Sequence, residues 1–146
     1  MQAAERQVAS VMAKDFVSVK AKDQLDFVDD VMNLGRIRHM PVLDGERLIG
    51  VVSQRDLLAS SLSRALDFEA GQRRNFMRSV VVEEVMTPQP ITVGPTASLR
   101  EAARLMLAHR IGCLPVVEEN GHVAGLVTET DLLRGAYAEV APSSIK

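Results

Sequence analysis

The sequence predicts an α/β (α+β) fold made of two β-α-β-β-α repeats that pack sheet to sheet about a pseudo-two-fold axis. Three observations predict it. The chain repeats itself once, the apolar residues of each copy follow helical and then strand spacing, and glycines mark tight turns between strands. A copy of about 55 residues is small for an independent core, so we expect the two copies to bury their sheets together.

The composition indicates a globular chain of 146 residues without a strongly charged surface. Hydrophobic residues make up 47%, which provides a core, and the formal net charge of −2 gives no footprint for nucleic acid or an anionic membrane. No apolar run reaches membrane-spanning length and no signal peptide is visible, so we expect a cytoplasmic protein. A single cysteine cannot form an internal disulfide, and the three histidines show no zinc-type spacing.

The internal repeat appears at a shift of 74 residues, which becomes 75 after one insertion near Asn120. When residues 8–44 and 45–58 are aligned in this way, 15 of 51 positions are identical. A period this long indicates a duplicated subdomain rather than a solenoid unit. The predicted divisions are an N-terminal segment (1–10), a first repeat (8–62), a connector (63–81), a second repeat (82–140) and a tail (141–146).

Each repeat is expected to begin with a short extended piece, FVSV at 16–19 and ITV at 91–93, followed by a helix. In the second repeat Ser98 and Glu101 have capping-box spacing, whereas Asp23 is the expected cap in the first. The predicted buried stripes are Leu25, Val28 and Met32 in the first repeat and Leu99, Ala102, Ala103, Met106 and Leu107 in the second.

Two strands and a second helix complete each repeat. MPVL and RLIGVV flank the turn DGE, and LPVV and HVAGLV flank EENG, which is hairpin chemistry. The second helices are predicted from about Ser53 to Ala70 and from about Thr128 to Val140. The polar stretch 71–80 is predicted to be a basic connector.

A hydroxyl and an acid three residues apart begin both second helices, in GVVSQRDLL (50–58) and GLVTETDLL (125–133). Two interpretations stay open. Ser53 with Asp56, and Thr128 with Asp131, have the pattern of a capping box, which needs no ligand. The same helix start offers unsatisfied N–H groups to a phosphate, and a carboxylate can accept from the two hydroxyls of a ribose.

These motifs give the chain a resemblance to a known family. The stretch VMTPQPITV…SLREAARLMLAHRIGCLPVVEENGHVAGLVTETDLL resembles a CBS (cystathionine beta-synthase) domain, and VMAKDFVSV…DVMNLGRIRHMPVLDGERLIGVVSQRDLL resembles a second one. The likeness covers 8–62 and 82–140. It implies a paired, free-standing CBS module that binds AMP, ADP, ATP or S-adenosylmethionine in the cleft between the repeats and forms flat homodimers.

The resemblance also implies roles for particular residues. Asp56 and Asp131 would hold ribose, and Ser53 and Thr128 would lie near phosphate. The adenine would lie at the segment before each proline, where the chain is held extended. The implied adenine-site and cleft residues are Met12, Val17, Arg38, His39, Met40 and Pro41 in the first repeat and Met86, Ile91, Gly112, Cys113, Leu114 and Pro115 in the second. For the apolar members, plain core packing is the alternative.

The repeats differ around this site. In the alignment, Arg38, His39 and Arg55 of the first repeat are equivalent to Gly112, Cys113 and Thr130 of the second. We expect unequal sites, with the one near the first trio preferring more phosphates; the alternative is that both arginines are solvated surface groups. Cys113 is expected to be an inert, buried hydrophobe.

The expected function is regulatory and not enzymatic, because no catalytic constellation or phosphate-cradling glycine loop is visible. A nucleotide would change the geometry of the repeats, and the terminal segments 1–10 and 134–146 would pass the change to an unidentified partner. The alternative is a structural dimerisation module without a ligand. A weaker alternative is a nucleic-acid contact through Arg73, Arg74 and Arg78, which the acidic balance disfavours.

Overall fold

The computed structural model describes residues 6–62 and 70–137 and mixes helices with two small antiparallel sheets. The predicted α+β class is thereby confirmed. The helices are α1 (Leu25–Gly35), α2 (Gln54–Leu62), α3 (Ala70–Arg78), α4 (Leu99–His109) and α5 (Glu129–Ala136). The strands are β1 (His39–Asp44), β2 (Arg47–Ser53), β3 (Thr87–Pro88), β4 (Cys113–Val117) and β5 (Val123–Thr128). Single 3-10 turns form at Val8–Ser10 and Val82–Glu84.

The described residues divide into two compact units. Unit 1 contains residues 6–16 and 91–137, and unit 2 contains 17–62 and 70–90. The units therefore do not follow the sequence repeats. The segment that leads into each repeat, 8–16 or 82–90, packs with the sheet of the other repeat.

Unit 2 is built on a three-stranded sheet in the order β1-β2-β3. β1 and β2 form the predicted hairpin, closed by a turn in which Gly45 has a φ of 63°. β3, from the leading segment of the second repeat, pairs with β2 at Gly50 and Val51. The core beneath comprises Val19, Leu25, Val28, Met32, Met40, Val42, Val52, Leu57, Met77 and Val82.

Unit 1 repeats this plan with a two-stranded β4-β5 hairpin. Ala13 takes the place that β3 has in unit 2: its N–H donates to the Leu126 carbonyl at 2.8 Å, and the Leu126 N–H donates back at 3.0 Å. Its core comprises Val8, Val93, Leu99, Ala102, Met106, Leu114, Val116, Val127 and Leu132.

The expected first strands are reduced to single bridges. Val19 pairs in parallel with Val42, and Val93 with Val116. FVSV and ITV each contribute one buried valine to a core, and the rest of each stretch forms no ladder.

The caps and stripes of the first helices are partly as predicted. Ser98 begins α4, and its hydroxyl accepts from the Glu101 N–H at 3.0 Å. The prediction that Asp23 caps α1 was wrong. Gln24 precedes α1 and makes no side-chain capping bond, and the Asp23 carboxylate instead accepts from the Lys20 N–H at 2.8 Å. The buried stripes are confirmed except at Ala103, which is partly buried, and at Leu107, which is 81% exposed.

The basic connector contains a helix that the sequence did not indicate. α3 occupies Ala70–Arg78, and its Met77 is 2% exposed in the core of unit 2. Arg74 and Arg78 lie against Asp30 and Asp26 of α1, with side chains that are 52% and 57% exposed. The predicted continuation of α2 through 63–69 and of α5 beyond 137 lies outside the described residues.

Within the described ranges, the helices are too short or too polar to span a bilayer.

Candidate functional site

In unit 2 the hairpin brings the two predicted site segments of the first repeat side by side. His39 lies directly across the ladder from Ser53. One residue further out, the Gln54 N–H donates to the Arg38 carbonyl at 2.9 Å. The segment before Pro41 therefore lies against the start of α2.

Unit 1 has the same arrangement. Cys113 lies across the ladder from Thr128, and the Glu129 N–H donates to the Gly112 carbonyl at 3.1 Å. Each unit thus carries one copy of the arrangement at the open end of its hairpin.

The helix starts at these sites are closed capping boxes. In unit 2 the Ser53 N–H donates to Asp56 Oδ2 at 2.8 Å, and the Asp56 N–H donates to Ser53 Oγ at 3.1 Å. Both residues are partly buried. The capping interpretation therefore holds for the ligand-free chain, and it engages one of the two Asp56 oxygens.

Thr128 and Asp131 make the equivalent box in unit 1. Asp131 Oδ2 accepts from the Thr128 N–H at 2.9 Å and from the Thr128 hydroxyl at 3.0 Å, and the Asp131 N–H donates to Thr128 Oγ1 at 3.3 Å. The second oxygen, Oδ1, lies 3.8 Å from Arg134 Nη1. It is the oxygen that takes no part in the cap.

Several predicted apolar contacts are core residues. Met40, Pro41, Leu114 and Pro115 are all buried. The carbonyls of the two prolines already accept from Val19 and Val93 at 3.0 and 3.1 Å. These residues fix the shape of the strand ends, and their side chains are committed to the two cores.

The two methionines predicted to line the cleft each lie in the unit that contains the hairpin of the other repeat. Met12 packs against Gly125 of unit 1, where a Cβ would come within 2.9 Å of its sulfur. Met86 packs against Gly50 of unit 2, where a Cβ would come within 2.5 Å. Gly50 of β2 and Gly125 of β5 are thus required, because a leading segment passes too close to each of them for a side chain.

Val17 and Ile91, at equivalent positions of the two repeats, differ in burial. Val17 is 40% exposed in unit 2, whereas Ile91 is half-buried against the core of unit 1. Core packing therefore describes Ile91 better than Val17.

Cys113 is 7% exposed. Burial, and secondarily the charge of Asp131, raises the pKa of the Cys113 thiol from 9.0 to about 12. A thiol of this kind stays protonated at neutral pH and is a poor nucleophile.

The two sites differ in charge. In unit 2, Arg38 and Arg55 are exposed at the hairpin end and the start of α2. In unit 1 the equivalent positions are Gly112 and Thr130, and an additional carboxylate, Glu129, lies over Gly112. A Cβ on residue 112 would lie 2.5 Å from Glu129 Oε1.

Glu129 lies at the candidate site and was missed from the sequence, although the acid pair in TETD was visible. The same holds for Gln54, its counterpart in unit 2. Both residues tie the helix start to the hairpin by a backbone bond, which no side-chain motif records.

In the described part of the chain, no group of three or more histidine, cysteine or acidic side chains could hold a metal ion.

Comparison with known proteins places this geometry in a family. The CBS domain family matches residues 8–63 and 82–137. A CBS domain-containing protein of Dictyostelium discoideum is 31% identical over 127 residues, covering 86% of this chain and 88% of that protein. An inosine-5'-monophosphate dehydrogenase of Korarchaeum cryptofilum is 33% identical over 142 residues, and the chain spans only 26% of its length.

Solved structures agree on the fold. CBSX2 of Arabidopsis thaliana, crystallised in complex with AMP, has a TM-score of 0.75 and 28% identity, and the match covers 92% of this chain and 98% of that one. A putative acetoin utilization protein (AcuB) from Vibrio cholerae has a TM-score of 0.74 and 30% identity, with 97% and 98% covered. From the two matched repeats, the two units and these relatives, it follows that the chain belongs to the CBS domain family.

Proposed function

We propose that this chain is a regulatory module that binds an adenosine nucleotide at the hairpin ends. The observation that carries the proposal is the pairing, in both units, of a hydroxyl and a carboxylate at a helix start with the backbone before the buried proline. The relative CBSX2, which this chain resembles over 92% of its length, was crystallised with AMP. AMP is therefore the first ligand to test, followed by ADP, ATP and S-adenosylmethionine.

The caps explain how such a site is kept ready without a ligand. The Asp56 and Asp131 carboxylates each hold the helix start through Oδ2. Their Oδ1 atoms are acceptors suited to ribose hydroxyls, and the Ser53 and Thr128 hydroxyls are suited to a phosphate oxygen beside the helix N–H groups. The ligand cleft expected where the repeats meet stays a prediction.

We further propose that the two sites are unequal. Arg38 and Arg55 give the unit 2 site two cations, whereas Glu129 gives the unit 1 site an additional carboxylate. His39 is half-buried beside this site, across the ladder from Ser53. Longer phosphate chains should favour the unit 2 residues, because a guanidinium binds phosphate through charge-assisted hydrogen bonds.

A homodimer is part of the proposal. Phe27 and Leu34 lie seven residues apart on one face of α1 and are 53% and 87% exposed. Leu133 of α5 and Tyr137, which directly follows this helix, are a second exposed apolar pair. Apolar side chains grouped in this way are typical of protein interfaces. Most of the terminal segments expected to signal to a partner lie outside the described residues.

Isothermal titration with AMP, ADP, ATP and S-adenosylmethionine tests the proposal. We expect saturable binding of at least one of them, with AMP among the binders. Failure of all four to bind at about millimolar concentration would remove the sensing function, because a Kd of about 1 mM corresponds to a binding free energy of only about −4 kcal/mol.

A ligand-free dimerisation module is the second candidate. The observation that favours it is that both capping boxes are complete without a ligand. It predicts that the nucleotide panel fails while sedimentation velocity still shows a dimer.

A further inference from the structure

The packing of α3 on α1 in unit 2 provides a template for a surface in unit 1. Arg74 donates to Asp30 through both terminal nitrogens, at 3.0 and 3.4 Å. Arg78 Nε lies 3.5 Å from Asp26 Oδ2. Met77, next to Arg78, is buried in the core. α3 is therefore a basic helix with one apolar anchor, docked on an acidic stripe.

The internal repeat defines the equivalent place on α4. The Leu25 N–H at the start of α1 donates to the Val80 carbonyl at 3.0 Å, and the Leu99 N–H at the start of α4 donates to the Arg6 carbonyl at 3.1 Å. Gln24 bridges Val81, as Ser98 bridges Gln7. Both helices thus receive the preceding chain along the same path, so the face of α1 that α3 covers has a counterpart on α4.

The counterpart face has the opposite charge. Arg100 and Arg104 stand where α1 has Asp26 and Asp30, and Leu107 stands where it has Asn33. Positions i, i+4 and i+7 share one helix face. Leu107 is 81% exposed and the Arg104 side chain is 73% exposed. Arg104 also pairs with Glu101 of its own helix. Arg100, Arg104 and Leu107 together make this face a positively charged stripe with an apolar side chain at one end.

We propose that this stripe of α4, Arg100, Arg104 and Leu107, binds an acidic amphipathic helix of a partner protein. The template defines the helix: two carboxylates four residues apart replace Arg74 and Arg78, and an apolar residue stands at the position of Met77. A second copy of this chain is a poor occupant. An isologous contact would set the arginines of one stripe against those of the other, and like charges repel.

The binding should be modest and sensitive to salt. Exposed ion pairs contribute about 0–1 kcal/mol each, so most of the specificity comes from charge sign and much of the affinity from covering Leu107. Added salt should weaken the complex because both charge pairs are near solvent.

The test uses the full chain and a fluorescent peptide. The probe has the sequence of residues 70–80 with Arg74→Glu and Arg78→Glu, held helical by a staple on its outward face because short free helices are marginal. The control probe is the same stapled peptide with both arginines. Fluorescence anisotropy measures binding of each probe to the wild type and to an Arg100→Glu/Arg104→Glu variant.

We expect the acidic probe to bind the wild type about tenfold or more tightly than the basic probe, and the double variant to reverse this preference. Leu107→Ala should weaken the acidic probe while leaving AMP binding unchanged. This readout is separate from nucleotide binding, so it succeeds or fails independently of the proposed function.

Three outcomes would overturn the proposal. The first is equal binding of both probes, or none, in the wild type. The second is stronger acidic-probe binding after deletion of residues 1–5, which would mean that the chain's own start covers the stripe. The third is a dimer that Leu107→Asp dissociates, which would make a second copy the occupant.

Discussion

Asp56 and Asp131 each use one carboxylate oxygen to close a helix start, at 2.8 and 2.9 Å from the backbone N–H of the capping residue. The geometry of these two aspartates is nearly the same, yet their surroundings differ. Arg55 follows Ser53 by two positions in unit 2, and Thr130 follows Thr128 in unit 1. At the residue scale, the difference between the candidate sites therefore lies inside the shared motif, one position before each aspartate.

The pair Arg55 and Thr130 provides a matched test of phosphate preference. Arg55→Thr should reduce affinity for ATP more than for AMP, by about tenfold in the ratio, because one charge-assisted contact is lost. Thr130→Arg should raise the same ratio. Titration calorimetry with both nucleotides measures it. An unchanged ratio in both variants would return Arg55 to the class of solvated surface groups.

The Cys113 thiol predicts a dependence of stability on pH. The unfolded chain releases the thiol proton near its ordinary pKa of 9.0, whereas the fold retains it until about 12. This contribution is complete below pH 9 and is lost as the pH rises toward 12, because the folded-state pKa is the higher one.

Urea unfolding at about pH 8 and about pH 10 checks this prediction. The wild type should lose about 1 kcal/mol more than Cys113→Ala between these two values. Lysine and tyrosine ionisation affects both proteins alike, so the variant serves as the baseline. An equal loss in both would contradict a thiol held protonated by burial.

At the scale of elements, the hairpins and the α1 and α4 helices follow from local pattern, whereas α3 does not. Its sequence AGQRRNFMR offers only Phe76 and Met77 as apolar residues close together. Two apolar side chains show no helical period, so the segment looks like a connector. Tertiary contact with α1 forms it, through Met77 and the two arginine–aspartate pairs.

Met77 should accordingly matter for stability. Met77→Ala removes a fully buried side chain, and the expected loss is about 2–5 kcal/mol in the free energy of unfolding. Asn75→Ala, at an exposed position of the same helix, is the control and should change it by less than about 0.5 kcal/mol. Urea denaturation measures both. Similar values for the two variants would show that α3 is not part of the core.

At the scale of the whole molecule, the sequence was sufficient to find the repeat and the fold class. It did not show which chain segments make up each unit. Aligning Val8 with Val82 shows that they are equivalent, and it does not show which sheet either one joins. That choice depends on non-local pairing, Ala13 with Leu126 and β3 with β2. The hydroxyl and carboxylate pairs of the candidate site are visible in the sequence, whereas the positions of Glu129 and of the two methionines required the tertiary contacts.

Val8→Ala and Val82→Ala test the composition of the units. Both valines are fully buried, Val8 in unit 1 and Val82 in unit 2. Each substitution should cost about 1–3 kcal/mol. In hydrogen exchange, Val8→Ala should accelerate α4, β4 and β5, and Val82→Ala should accelerate α1, β1 and β2. If each substitution instead loosened its own sequence repeat, the assignment of the leading segments would be wrong.

The most direct test of nucleotide binding at the hairpin ends is the affinity of the Asp56→Asn/Asp131→Asn variant for AMP. Asparagine keeps one oxygen for the cap and loses the second acceptor needed by ribose. Ser98→Ala, which removes a helix cap away from both sites, is the control for stability alone. We expect the double variant to lose about tenfold or more in AMP affinity with a melting temperature near that of the wild type, and Ser98→Ala to retain AMP binding. Unchanged AMP affinity in the double variant would contradict the proposed site.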